Sequence, residues 1–192
     1  MDFSKILWSF LNVCQPNEYP FVTPEIDLRR RLPKSLLTKL TVLNIGTGSG
    51  DSGLARQLPY LPFFRLDFID VHQPYLDNAA KKKYASKISH FIKADARQFD
   101  TSIYDLVLMF DVLEHLPKED SLRIMEKIKS KQIVFIPLEE RYRENSFGVK
   151  SQDHLSFWTE EDFIKLGYQT ERLFAFHRED GDIFDALWAI KN

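Results

Sequence analysis

The sequence predicts an α/β fold in which a mostly parallel sheet of seven strands carries helices on both faces. Two observations lead to this prediction. Short apolar runs alternate with helix-like segments along the chain, which is typical of parallel strands joined by right-handed crossovers. The last two runs, residues 168–177 and 182–190, are separated by Asp180 and Gly181, a pair typical of a hairpin, so the sheet should contain an antiparallel strand near the C-terminus.

The size and composition favour one domain in a reducing compartment. A chain of 192 residues can bury a complete core. Its formal net charge of -2 gives no general attraction to nucleic acid, so a nucleic-acid partner is not favoured. Cys14 is the single cysteine, which excludes a disulfide within the chain. No apolar run is long enough to span a membrane, and we expect a cytoplasmic protein of unknown oligomeric state.

Residues 1–40 are expected to form a helical segment that packs on or caps the domain of residues 41–192. Apolar residues recur near the start at spacings of three and four, which predicts an amphipathic helix: Phe3, Ile6, Leu7, Phe10 and Leu11. We interpret the run Arg29-Arg30-Arg31 as a solvated helix face rather than a phosphate site.

Within the domain, the remaining elements follow from apolar runs and terminal residues. Strands are predicted over 42–45, 68–71, 91–94, 104–110 and 132–136. Helices are predicted over 51–58, 74–85, 119–129 and 159–166, the last of them with Thr159 as its capping residue and Gly167 as its stop. Residues 138–157 lack periodicity and are predicted to form a long functional loop.

Three features stand at the predicted carboxyl ends of strands. The first strand ends in Gly46-x-Gly48-x-Gly50, a turn whose backbone N–H groups can face a ligand because glycine permits close approach. Asp70 ends the second strand, 24 residues after Gly46, where a carboxylate can accept hydrogen bonds from ribose hydroxyls. The third strand is followed by the pair Asp95-Ala96.

The fourth strand is followed by Asp111-Val112-Leu113-Glu114-His115-Leu116. With the three features above, this segment resembles the class I S-adenosylmethionine-dependent methyltransferases, which have a Rossmann-like fold. The resemblance implies that S-adenosyl-L-methionine is the cofactor. It also implies that one set of residues contacts this cofactor: Asn44, Gly46, Thr47, Gly48, Asp70, Val71, Asp95, Ala96 and Phe110. Asp70 would bind the ribose, and Asp95 with the Ala96 N–H would bind the adenine.

One position departs from the family. The residue before Ile45 is usually acidic, and here it is Asn44. An amide oxygen still accepts a hydrogen bond but carries no charge to balance the cofactor's cationic groups, so we expect weaker cofactor binding.

The candidate catalytic residues are Asp111, His115 and His154. Methyl transfer depends mainly on positioning, and a base is needed only when a hydroxyl must lose its proton. An imidazole suits that role, although Glu114-His115 could instead be a packing element and His154 a loop anchor. By resemblance, the methyl acceptor is expected to be a small molecule, a sugar or a lipid-linked intermediate, methylated on oxygen.

The same residues are compatible with a metal site. Asp111, Glu114, His115 and His154 could together bind a divalent ion, and they resemble a cluster in small-RNA 2′-O-methyltransferases. We favour a site without a metal for two reasons. Asp111 has a shorter side chain than the glutamate of those enzymes, and the number of residues between His115 and His154 is small compared with those enzymes. The sequence is also compatible with a catalytically silent cofactor-binding protein and with a nicotinamide enzyme.

Overall fold

The computed structural model describes residues 38–48, 58, 61–83, 85–138, 150, 153–179 and 182–192. The predicted N-terminal helical segment, nearly all of the predicted helix over 51–58 and the hairpin residues 180–181 lie outside these ranges. Within them, no helix is both long enough and apolar enough to cross a membrane.

Seven strands form one sheet, which confirms the predicted fold class. The strands are β1 (Thr41–Ile45), β2 (Arg65–Asp70), β3 (His90–Lys93), β4 (Leu106–Phe110), β5 (Lys131–Pro137), β6 (Gln169–Glu179) and β7 (Asp182–Lys191). Their spatial order is β3-β2-β1-β4-β5-β7-β6. The first five run parallel, and β7 lies antiparallel between β5 and β6.

The sheet separates two hydrophobic cores because successive side chains of a strand point to opposite faces. Val42 belongs to one core and its neighbour Leu43 to the other. The central strand β4 is buried along its whole length, as expected for a parallel strand covered on both faces. Large side chains such as Phe68 and Trp188 are almost fully buried, and each such side chain stabilises the fold by roughly 1.5–3 kcal/mol.

Three α-helices are described: α1 (Gln73–Ala80), α2 (Lys118–Lys127) and α3 (Glu160–Lys165). The prediction that the second helix runs to residue 85 was wrong. The helix ends at Ala80, where Lys81 and Lys82 donate their N–H groups to Asn78 and Ala79, three residues back, and a separate 3₁₀ turn follows at Ala85–Lys87. These bonds tighten the last turn to 3₁₀ geometry, which is a common way for an α-helix to end.

Helix α3 begins and ends as its sequence predicts. The Thr159 side chain accepts from the Asp162 N–H while the Asp162 carboxylate accepts from the Thr159 N–H, which forms a complete capping box. Gly167 follows the helix with φ of 82°, a conformation that favours glycine. This helix anchors residues 153–159, the segment that precedes it.

Candidate active site

The turn after β1, residues 46–48, is called the cofactor turn here. Gly46 and Gly48 have φ angles of 77° and 58°, which residues with a Cβ adopt only with strain. The Gly46 N–H donates to the Ile69 carbonyl at 2.9 Å, which joins the turn to β2. A Cβ built on Gly46 would lie 2.5 Å from Cγ2 of Val112, so the backbone needs glycine for close packing as well as for its bend.

Asp70 closes the cofactor turn from the neighbouring strand. One of its carboxylate oxygens accepts from the N–H groups of Thr47 and Gly48 at 2.9 and 3.1 Å, and the other accepts from the His72 N–H at 2.8 Å. Burial raises the pKa of Asp70, although these three hydrogen bonds act to lower it. The predicted acid and the predicted turn are therefore one unit.

Asn44 has a contact that explains the departure from an acidic residue at this position. Its amide nitrogen donates to the carbonyl of Gly46 at 3.2 Å, and the side chain is buried. An ionised aspartate has no donor and could not make this bond. The amide therefore stabilises the bend from within, a role that the sequence alone did not indicate.

Asp95 lies next to Asp70 at the same edge of the sheet, because the Ala94 N–H donates to the Asp70 carbonyl at 3.1 Å. Its carboxylate is held by Arg97, whose Nη2 lies 2.6 Å from Oδ2 and whose backbone N–H donates to Oδ1 at 2.9 Å. Hydrogen bonding from Arg97 is the main reason that the pKa of Asp95 lies below its ordinary value. Two neighbouring carboxyl groups are thus shifted in opposite directions.

The other predicted cofactor residues lie along this edge in different settings. Val71 follows Asp70 and is 49% exposed, so an apolar surface is available beside the carboxylate. Ala96 is partly buried against one core. Phe110 ends β4 and its ring packs edge-on against Trp188, with ring centroids 5.4 Å apart, so its side chain belongs to the core of the sheet.

The turn after β4, residues 111–115, is called the acceptor turn here. Among the described non-glycine residues, Asp111 alone has a positive φ, at 50°, and its N–H donates to the Phe135 carbonyl at 3.0 Å. Strained backbone of this kind is found most often at functional sites. Leu113–His115 then form a 3₁₀ turn in which the His115 N–H donates to the Val112 carbonyl. Val112, which lies close to Gly46, belongs to this acceptor turn, so the two turns are in contact.

Residues 153–159, called the docking segment here, pack against the acceptor turn. The Glu114 carbonyl accepts from the N–H groups of Leu155 and Ser156 at 2.7 and 3.1 Å. The Ser156 hydroxyl donates to the Leu113 carbonyl at 3.0 Å and accepts from the Trp158 indole at 3.0 Å. Trp158 is 3% exposed and belongs to one of the two cores, so it anchors the segment on the sheet.

The docking brings three potential ligand groups together. Ligand atoms of Glu114, His115 and His154 all lie within 4.8 Å of one another, and the two imidazole rings have centroids 4.9 Å apart. Glu114 and His154 are buried, and His115 is partly exposed. Asp111, the fourth residue of the predicted cluster, is not among the three. The structure thus unites most of the predicted catalytic set across 39 positions of sequence.

Two residues of the site were missed by the sequence reasoning. Ser156 links the docking segment to the acceptor turn, and Arg97 holds the carboxylate of Asp95. The spacing Asp95-x-Arg97 could have indicated the second contact, because a side chain two residues away can return to its neighbour in a turn. No local pattern marks Ser156.

The chemistry of the cofactor turn fits S-adenosylmethionine. Apart from its two chain neighbours, no described residue has an atom within 4 Å of a Cβ built on Gly48. A buried carboxylate and an exposed apolar residue, Asp70 and Val71, border the turn. An edge of this kind, where parallel strands end, is where open α/β sheets bind nucleotides.

The comparisons with known proteins agree with this geometry. Residues 42–131 match the family model described as a methyltransferase domain. A search of curated proteins finds no significant match. Among solved structures, magnesium protoporphyrin IX methyltransferase from Synechocystis PCC 6803, solved with bound S-adenosylmethionine, is 16% identical with a TM-score of 0.56, and the match covers 100% of this chain and 98% of that one.

Two further structures differ in their acceptors. The small RNA methyltransferase HEN1 is 18% identical with a TM-score of 0.56, over 83% of this chain and 24% of that one. The mitomycin 7-O-methyltransferase is 17% identical with a TM-score of 0.55, over 82% of this chain and 50% of that one. At such identities the likeness concerns the fold. Residues 42–131 therefore match a methyltransferase domain, and the seven-stranded sheet has the fold of the class I S-adenosylmethionine-dependent methyltransferases.

Proposed function

We propose that this methyltransferase transfers the methyl group to a hydroxyl oxygen of a small molecule, a sugar or a lipid-linked intermediate. The observation that carries the proposal is the imidazole pair of His115 and His154 at the acceptor turn, whose Val112 packs on Gly46 of the cofactor turn. A hydroxyl acceptor has to lose its proton during transfer, and an imidazole can accept that proton near neutral pH.

In the proposed arrangement, residues at the strand ends would hold S-adenosylmethionine, which would supply an electrophilic methyl group. Asp70 accepts a hydrogen bond from the ribose with the acceptor capacity that the N–H groups of Thr47, Gly48 and His72 leave on its oxygens. Asp95 and the Ala96 N–H contact the adenine, and Val71 covers one of its faces. Asn44, Gly46 and Phe110 support the turn and strand end that position the rest.

The acceptor turn performs the second half of the reaction. As the new C–O bond forms and the C–S bond breaks, the hydroxyl proton passes to His154. His115, with Nδ1 3.3 Å from the Asp153 carbonyl oxygen, orients the docking segment that carries His154. Asp111 shapes the strained bend from which the turn departs. Leu155 is 47% exposed beside His154 and offers an apolar contact to the acceptor.

The first experiment follows a labelled methyl group. The protein is incubated with S-adenosylmethionine labelled in its methyl group and with cell extract fractionated into small polar molecules, lipids, RNA and protein. We expect label in the small-molecule or lipid fraction as a base-resistant methyl ether. Label confined to protein or to a nitrogen atom would contradict the proposal, and binding without transfer in every fraction would indicate a silent binding protein.

The second experiment tests His154. Replacing it by glutamine keeps a polar side chain but removes the base, so we expect kcat to fall about 10²- to 10⁴-fold while the affinity for S-adenosylmethionine is retained. Ile164→Ala, an exposed position on α3, is the matched control and should retain activity. An unchanged kcat for His154→Gln would exclude the proton-accepting role.

A second candidate function, metal-assisted methyl transfer to RNA, is favoured by a separate observation. Glu114, His115 and His154 provide one carboxylate and two imidazoles within 4.8 Å, a donor set that suits a divalent transition metal. These residues would hold the ion, which would lower the proton affinity of a bound hydroxyl. An RNA ribose 2′-hydroxyl becomes a candidate acceptor, and HEN1 among the similar structures is a small RNA methyltransferase.

The two candidate functions give His154 different roles, proton acceptor or metal ligand, and one treatment distinguishes them. Dialysis against a chelator, followed by addition of single divalent ions, should leave activity unchanged if His154 accepts the proton directly. Loss and recovery of activity, with label at the 3′ end of RNA, would support the metal-assisted candidate instead. Metal analysis of the protein as purified gives a readout that does not depend on activity.

A further inference from the structure

Three N–H groups of a single residue, Arg97, hold the carboxylate of Asp95. Arg97 Nε lies 3.0 Å from each carboxylate oxygen, Nη2 lies 2.6 Å from Oδ2, and the Arg97 backbone N–H donates to Oδ1 at 2.9 Å. Planar guanidinium groups match carboxylates in this way and fix their orientation as well as their charge.

The clamp leaves limited acceptor capacity on Asp95. An ionised carboxylate has about four lone-pair positions. Three N–H groups of Arg97 share these positions: the backbone N–H donates to Oδ1, Nη2 donates to Oδ2, and Nε lies 3.0 Å from both oxygens. About one acceptor position therefore remains for an outside donor. The Asp95 side chain is 28% exposed, so a ligand can reach it.

A second anchor prevents Arg97 from swinging away. Its Nη1 donates to Asp120 Oδ2 at 3.1 Å, in the first turn of α2. At the other end of that helix, Lys127 donates to the Phe99 carbonyl at 2.6 Å. The loop that carries Asp95 and Arg97 is thus tied to both ends of α2.

We propose that Arg97 is a positioning residue for base recognition, which fixes the orientation of the Asp95 carboxylate and aims its remaining lone pair at the exocyclic amine of adenine. This inference rests on the proposed contact between Asp95 and adenine. A base with a 6-amino group donates to that lone pair, whereas hypoxanthine presents a 6-oxo group and meets the carboxylate as acceptor against acceptor. The protein should therefore prefer adenine because of Arg97 as well as Asp95.

Calorimetry with two stable probes tests this. The probes are S-adenosylhomocysteine and its analogue in which hypoxanthine replaces adenine. Wild-type protein should prefer adenine by about 10- to 100-fold, the usual range for one hydrogen bond to a charged group. Arg97→Gln should lose most of that preference, and Arg97→Lys should keep part of it because the charge remains. Arg123→Gln is the matched control, since the Arg123 guanidinium lies 3.4 Å from the same Asp120 carboxylate that holds Arg97.

The outcomes separate this inference from the proposed cofactor site. Equal loss of both affinities in Arg97→Gln, or an unchanged preference, would overturn the positioning role, because a merely structural residue does not distinguish the two bases. Asp95→Asn should abolish or reverse the preference, since an amide can donate to a 6-oxo group. If Asp95→Asn changes neither affinity, the placement of adenine itself is wrong.

Discussion

The cofactor turn and the acceptor turn occupy equivalent places in the sheet but expose opposite backbone groups. They follow the adjacent parallel strands β1 and β4, where Ile45 pairs with Met109, and each bends through a positive φ. In the cofactor turn, backbone N–H groups are satisfied by the carboxylate of Asp70. In the acceptor turn, the carbonyls of Leu113 and Glu114 are satisfied by donors of the docking segment.

The cofactor turn is held by a residue of the sheet itself, whereas the acceptor turn is held by a segment from outside the sheet. Asp70 lies at the end of β2, next to the cofactor turn. The pairing of β1 with β2 is therefore enough to bring the Asp70 carboxylate to that turn. Ser156 lies 43 residues after Leu113 and reaches it only when the docking segment packs. If these residues bind the acceptor as proposed, we expect acceptor recognition to vary with this surface segment while the cofactor turn stays the same, as for other loops placed on a rigid scaffold.

The largest expected effect comes from the point where the two turns touch. Gly46→Ala forces a Cβ to within 2.5 Å of Val112 at a φ of 77°, and we expect it to destabilise the fold by about 2–4 kcal/mol and to abolish cofactor binding. Gly48→Ala is the control, because its φ of 58° carries similar strain but its Cβ meets no described atom, so about 1–2 kcal/mol is expected. Thermal unfolding and calorimetry measure both, and equal effects would show that the contact with Val112 is unimportant.

A smaller effect should be confined to the cofactor turn. Asp70→Ala leaves the N–H groups of Thr47, Gly48 and His72 without their acceptor, which should lower the free energy of unfolding by about 1–3 kcal/mol and the cofactor affinity by tenfold or more. For Asp95→Ala, whose carboxylate pairs with the half-exposed Arg97, we expect less than about 1 kcal/mol. Chemical denaturation compares them, and a larger loss in Asp95→Ala would reverse our ranking of the two carboxylates.

The corresponding change on the acceptor side should spare the cofactor. Ser156→Ala removes the donor to the Leu113 carbonyl and the acceptor of the Trp158 indole, so we expect a loss of about 1–2 kcal/mol with unchanged affinity for S-adenosylmethionine. Ser121→Ala is the matched control, because its hydroxyl donates to the same carbonyl at 2.9 Å from α2 and not from the docking segment. Only Ser156→Ala should reduce methyl transfer. A parallel fall in cofactor affinity would mean that the two turns are not independent.

The smallest effect is a difference in pH dependence. Burial raises the pKa of Asp70 above its ordinary value of 3.8. Burial also acts to raise the pKa of Asp162 in α3, but hydrogen bonds from Lys118 and Thr159 outweigh it and the pKa lies below 3.8. The stabilisation linked to Asp70 is therefore present below about pH 3.8 and lost as pH rises through its higher folded pKa, whereas that of Asp162 is present above about pH 3.8 and lost as pH falls through its lower one.

Denaturation of Asp70→Asn and Asp162→Asn between about pH 3 and pH 7 checks this sign. As pH falls, the wild type should gain stability relative to Asp70→Asn and lose stability relative to Asp162→Asn. Slopes of the same sign would contradict the opposite shifts of these two carboxyl groups.

The sequence by itself determined the strands, the capped helix α3 and the cofactor turn, because each is encoded by neighbouring residues. Apolar runs predict buried strands, and glycines at 46 and 48 predict a bend that only they adopt easily. Since the carboxyl ends of parallel strands share one edge, Asp70 could be placed beside Gly46 from the order of the strands alone. The N-terminal helical segment and the cytoplasmic location remain predictions.

Only the tertiary structure decided which partners the polar groups take. The end of α1, the bond from Asn44 to Gly46 and the exclusion of Asp111 from the group formed by Glu114 and the two histidines were not predicted from the sequence. The spacing Asp95-x-Arg97 is compatible with the clamp, but it does not decide that Arg97 takes both Asp95 and Asp120 as partners. The docking of Ser156 onto the acceptor turn joins residues 43 positions apart, and hydrogen bonds of such range depend on how the whole chain packs. Local sequence sets backbone preferences, whereas the choice among several reachable partners is made by burial and geometry in three dimensions.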